Sequence, residues 1–154
     1  MAKLPPNTSL VIPRLICADP KRELEFCKSA FAAVSLNERP GPDGTLAHAL
    51  LTVHGEMIMI EAVWPTLPSR PPNSDGSSPV VIFLYVEDVD RVVHSVEQLG
   101  GKILIPAQDQ FWGDRIAWIM DPNGHVWTLA TRIEETTAEE RTKRWSNILD
   151  QGAG

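Results

Sequence analysis

Hydrophobic positions along this chain fall into short blocks, and the spacing inside each block changes in a regular order. Residues 10–17 form a brief apolar run of strand length. Asp19-Pro20 then opens a helix, with Asp as the N-cap and Pro in the first helical position. Leu24, Cys27, Ala30 and Phe31 recur at helical spacing and give that helix one buried stripe. Residues 36–39 read as a short strand, and Pro40-Gly41-Pro42-Asp43-Gly44 as a turn. Two more strands follow at 46–53 and 57–63, joined at Gly55. From 64 to 79 the composition shifts to Pro, Ser, Asn and Gly, which predicts a spacer between two units.

The same order then returns. Residues 80–86 read as a strand and 89–99 as a helix with Val89, Val92, Val93 and Val96 on one face, stopped by Gly100-Gly101. Strands are expected at 102–106, 115–120 and 126–133, the last two joined by the hairpin turn Asp121-Pro122-Asn123-Gly124. The copies superpose at an offset of 69 residues: Asp19 on Asp88, Gly44 on Gly113, Gly55 on Gly124, Leu24 on Val93, Cys27 on Val96. Each copy is β-α-β-β-β. The fold class is therefore α+β: two tandem βαβββ modules (10–63 and 80–133) in a single domain, forming a curved mixed sheet around a groove. A groove between two such copies is a natural ligand site. Beyond them, residues 134–154 open on the capping box Thr137-Ala138-Glu139-Glu140 and carry a narrow stripe, Trp145, Ile148 and Leu149. That tail helix is suited to dock on its own body or on a second subunit.

Composition narrows the function. With 43% hydrophobic and 22% charged residues, the chain can bury a real core. A net charge of −6 argues against a nucleic-acid partner, which needs a basic face, and against a membrane surface. No apolar run is long enough to span a bilayer, and Met1 to Pro6 has no signal-peptide core, so a cytoplasmic protein is expected. Cys17 and Cys27 read as small buried hydrophobes and not as a disulfide.

Paired β-α-β-β-β modules with a Trp112-Gly113-Asp114-Arg115 turn and a strand-linking Asp121-Pro122-Asn123-Gly124-His125 segment resemble the vicinal oxygen chelate superfamily. It includes glyoxalase I, the bleomycin resistance proteins and the extradiol dioxygenases. The stretch from Phe111 to Thr131 is most similar to the small bacterial PhnB-like members, and the resemblance runs from Leu10 to Ile133. It implies the glyoxalase/bleomycin resistance/dihydroxybiphenyl dioxygenase fold, and commonly a homodimer. In metal-dependent members each module gives one ligand from its first strand and one from its last. Carried onto this chain, those positions are Ile12, Met59, Val81 and Thr128. None suits a divalent ion, which wants carboxylate oxygen or imidazole nitrogen. Glu61, two residues beyond Met59 on the same strand face, is the one carboxylate that a small slip would bring in.

Strand side chains alternate faces, so Arg14, Ile16, Met57, Met59 and Glu61 are expected to share one groove face, with Val81, Phe83, Tyr85 and Thr128 from the second module. His48 stands opposite the small apolar face of Ala47, Ala49, Leu51 and Val53 and should point into the groove, as a hydrogen-bonded structural residue or as a base near physiological pH. By the repeat offset Arg115 takes the parity of His48 and could clamp a carboxylate or phosphate. Phe111 and Trp112 could lid the groove, Trp118 and Trp127 are expected on the helix side, and His125 in solvent.

Two functions follow. One is a metal-free protein binding a small, partly aromatic or anionic molecule, with Trp112 and Tyr85 as walls and Arg14, Met59, Arg115, Thr128, His48 and Glu61 as contacts. The other is an enzyme, a glyoxalase-like lyase or isomerase or a dioxygenase, holding a divalent metal (Zn, Ni, Mn or Fe) at a rearranged site on His48 and Glu61. There the ion would polarise vicinal oxygens and Glu61 would be ligand and base.

Overall fold

A computed structural model of the chain describes residues 3–152. The first module runs β1 (Arg14–Cys17), α1 (Pro20–Phe31), β2 (Val34–Pro40), β3 (Leu46–Val53) and β4 (Glu56–Ala62). The second runs β5 (Val81–Tyr85), α2 (Val89–Val96), β6 (Lys102–Asp109), β7 (Asp114–Met120) and β8 (Val126–Arg132), and α3 (Ala138–Gly152) follows. Each module is one four-stranded sheet, ordered β1-β4-β3-β2 and β5-β8-β7-β6. In each, the first strand pairs parallel to the last and the other pairings are antiparallel.

The duplicated helix starts behave alike. Asp19 Oδ1 accepts the Arg22 N–H at 3.0 Å, and Asp88 Oδ1 accepts the Arg91 N–H at 3.1 Å. Each satisfies a donor that the helix itself leaves open. The second helix ends at Val96, three residues short of expectation, and a turn carries the chain to Gly100 in the left-handed region at φ 87°. The Gly101 N–H reaches back to the Val96 carbonyl at 3.0 Å.

The first strand also starts late. Leu10 and Val11 are exposed, and pairing begins only after Pro13, whose ring removes a ladder donor while its carbonyl takes the Met59 N–H. Conversely β6 continues past Pro106 to Asp109, because it is an edge strand and its register shifts there. The tail helix has its expected box: Thr137 Oγ1 accepts from Glu140 N, and Glu140 Oε2 accepts from Thr137 N.

One core serves both modules. Leu24, Phe26 and Phe31 of α1, Val89 and Val96 of α2, and Trp127 and Leu129 of β8 belong to a single buried cluster. Both helices thus share one layer, and the opposite faces of the two sheets are left open. Both cysteines are buried and unpaired. Among the described residues no helix is long and apolar enough to cross a membrane.

Candidate functional site

The open face of the first sheet is set by alternation. Ala47, Ala49, Leu51 and Val53 of β3 and Ile58 and Ile60 of β4 go into the core. That sends His48 and Leu50, with Met57, Met59 and Glu61, to the other side. His48 and Glu61 are direct cross-strand partners. His48 Nδ1 lies 2.9 Å from Glu61 Oε2. An ionised carboxylate only accepts, so Nδ1 carries the hydrogen and Nε2 is the ring atom left free to exchange a proton. Trp64 Nε1 donates to Glu61 Oε1 at 2.8 Å, and Arg14 Nη2 stands 3.6 Å from Oε2. Burial works against the Glu61 charge, but the bonds from His48 and Trp64 and the charges of His48 and Arg14 outweigh it, holding the carboxyl below its ordinary range.

The second sheet carries its own polar cluster on the corresponding face. Tyr85 donates its hydroxyl to Asp114 Oδ2 at 2.9 Å, and Trp112 Nε1 donates to the same oxygen at 2.8 Å. Arg132 Nε lies 3.2 Å from Asp114 Oδ1, an ion pair without hydrogen-bond alignment. Asp114 is 1% exposed. The bond to Asp114, helped by partial burial and by its charge, raises the Tyr85 phenol above its ordinary range. Phe83 and Tyr85 lie with ring centroids 5.3 Å apart and are 49% and 51% exposed. Gly113 allows the turn before Asp114: its φ of 98° is open to glycine, and its carbonyl takes the N–H groups of Ile133 and Glu134.

Arg14, Met59, Glu61, His48 and Tyr85 therefore share the open side as expected. Thr128 has that parity too, but at 3% exposure it lies beneath the surface. Trp112 holds Asp114 by its indole N–H, and it is Phe111 that meets the tail, with its ring centroid 5.3 Å from Trp145.

Arg115 is placed otherwise. It turns to the helix side and pairs with Asp90 of α2 and Asp109 of β6, both at 2.8 Å. The reason is a one-residue slip. Thr52 pairs with Met57 and Met120 with Val126, so four residues separate the first pair and five the second. The offset of 69 that relates β4 to β8 shrinks to 68 between β3 and β7, and the residue in the place of His48 is Ile116. Such a slip exchanges the two faces. It also sends Trp118, expected in the core, to the open side opposite Thr128. Trp127 is in the core as expected.

His125 does not face solvent either: its Nε2 donates to the Ile16 carbonyl at 2.9 Å and ties the second module to β1. Sequence reasoning passed over Trp64, Asp114 and Arg132. Trp64 was hidden by the composition of the linker, although it stands only three residues after Glu61. Asp114 and Arg132 become visible only once the slip is applied, which makes them cross-strand partners.

A duplicated βαβββ chain with two four-stranded sheets defines a fold class, and comparison with known proteins gives the family. Residues 10–129 match the Glyoxalase/Bleomycin resistance protein/Dioxygenase superfamily, and the chain belongs to that family. It is 37% identical over 131 residues to an uncharacterized protein of Mycobacterium bovis, covering 83% of this chain and 86% of the relative. It resembles the crystal structure of TioX from Micromonospora with a TM-score of 0.63 at 26% identity, over 81% of this chain and 99% of that one. The PhnB protein of Bacillus cereus superposes with a TM-score of 0.60 at 20% identity, over 80% of this chain and 99% of that one, a likeness of fold.

Proposed function

We propose that this chain binds a small, flat, partly aromatic molecule on the open sheet face, without the divalent metal centre of its family. The observation that carries this reading is the Phe83–Tyr85 pair, half exposed on β5, with the Tyr85 hydroxyl anchored on buried Asp114. An aromatic ring already fixed in place presents stacking area at little entropic cost. Glu61, His48 and Arg14 supply polar contacts on the other module.

The donor set supports the metal-free part. Of the four positions that the family pattern points to, Ile12 precedes β1, and Met59, Val81 and Thr128, on β4, β5 and β8, offer neither carboxylate nor imidazole. Both Glu61 oxygens already accept N–H bonds, from His48 and Trp64, and the Arg14 guanidinium beside them opposes a cation. Among the described residues no three His, Cys, Asp or Glu side chains are grouped as ligands. These residues do not fit a divalent ion. A second reading, a metal-free lyase or isomerase, is favoured by the His48 tautomer: Glu61 fixes Nδ1–H, so Nε2 is the atom that would take a proton from a bound substrate.

The test is titration with 2-naphthol, a neutral flat probe, followed by tryptophan fluorescence. Saturable binding is expected, weakened about tenfold or more by Tyr85→Ala, since losing one stacked ring is worth about 1.4 kcal/mol or above. Arg115→Ala, on the helix side, should leave it unchanged. Absent binding, or equal effects of the two substitutions, would contradict the reading.

A further inference from the structure

The edges of β1 and β5 flank a cleft of about 720 Å3, a volume in the range of small-molecule sites. Arg14 and Ile16 of β1, Ile82 of β5, His125, and Arg70 and Pro72 of the linker contribute to its walls. The charge is the unusual part. The chain carries 20 acids against 14 Lys and Arg, yet no Asp or Glu lines this cleft. Asp75, beside the linker wall, is engaged by the N–H and hydroxyl of Ser77. Arg70 is tethered to the wall through Nη1, which donates to the Pro71 carbonyl at 3.2 Å and Asn73 Oδ1 at 3.5 Å. Segment 64–79, expected to be a plain spacer, is thus one wall of a cavity.

We propose that this cleft is a second ligand site, for a small organic anion with an apolar body. Arg14 and Arg70 take a carboxylate or phosphate head, the chemistry that guanidinium groups match by paired N–H donors. Ile16, Ile82 and Pro72 pack on the body. Arg14 joins the two sites, because its Nη2 also stands 3.6 Å from Glu61. An anion in the cleft competes for that guanidinium, and the change is passed to the His48–Glu61 pair.

Benzoate and phenyl phosphate are the probes, titrated into the full chain by calorimetry and by amide NMR. Saturable binding of at least one is expected, with shifts at Ile82, His125 and Val126, and the tighter of the two identifies the head group. Arg70→Gln should weaken it about tenfold or more, and added salt should weaken it further. Failure of both probes to bind, or an affinity indifferent to Arg70→Gln, overturns the proposal. So do shifts confined to Phe83 and Tyr85, which would leave the open-face reading standing.

Discussion

Trp127→Ala is expected to cost about 3–5 kcal/mol of folding stability, the range for deleting a large buried aromatic side chain. Trp127 is fully buried, its ring centroid lies 4.8 Å from that of Phe31, and its Nε1 donates to Asp121 Oδ2 at 2.8 Å. Phe31 belongs to the first module and Trp127 to the second, so the substitution opens a hole where the two copies meet. It also removes one donor from a carboxylate that is 2% exposed, a loss that adds about 1–3 kcal/mol where nothing replaces it. Total stabilities of about 5–15 kcal/mol make this a large fraction of the whole. Urea denaturation followed by circular dichroism reads it. Trp127→Phe should fall between the variant and the wild type, since it keeps most of the ring and loses the bond. A cost under about 1 kcal/mol for Trp127→Ala would mean that the modules do not share this core.

Glu23→Gln is expected to remove a fall in stability that the wild type shows as pH rises. Glu23, on α1, is fully buried and faces Asp121 of the β7–β8 turn. Burial first, then the Asp121 charge and the hydrogen bond to it, push the Glu23 carboxyl well above 4.5; bonds from Asn123 and Cys27 offset this in part.

Asp121 takes the N–H groups of Asn123, His125 and Trp127, which fits the ionised partner, and Glu23 keeps the proton. Asp19, His125 and the thiols of Cys17 and Cys27 are the other titratable groups of this seam. In the unfolded chain Glu23 releases its proton near 4.5. The pair's contribution is therefore complete below that pH and lost as pH climbs toward the raised folded value. Within that window the loss is up to about 1.4 kcal/mol per pH unit for one proton. A glutamine amide can donate to Asp121 and accept from Asn123 with no proton to lose. Urea midpoints at several pH values from 5 to about 9 should slope down for the wild type and stay flatter for Glu23→Gln. Parallel profiles would contradict the assignment.

The sequence was most legible where a backbone rule acts locally. Asp19 and Asp88 cap their helices because an Asp before a first turn satisfies a free N–H whatever else the fold does. His48 and Glu61 could be matched because a two-residue turn at His54-Gly55 leaves little freedom in register. Arg115 and Trp118 could not be placed by the same parity, because one extra residue in the second hairpin exchanges faces, and turn length is not visible in hydrophobic spacing.

The linker hid Trp64 and Arg70 for a different reason. Prolines and serines mark the absence of a helix or strand, but nothing in that composition says which side chain returns to the body. Glu23 and Asp121 lie far apart in the chain, and only the docking of the modules turns two ordinary acids into one buried pair.

The central claim is that the open face, and not the helix side, meets the ligand. The most direct measurement is an NMR map of 2-naphthol on the labelled protein. Nuclear Overhauser contacts from the naphthyl ring to Phe83 and Tyr85 are the result the proposed reading predicts. Contacts to the helix side near Asp90 and Arg115, or none at all, would contradict it.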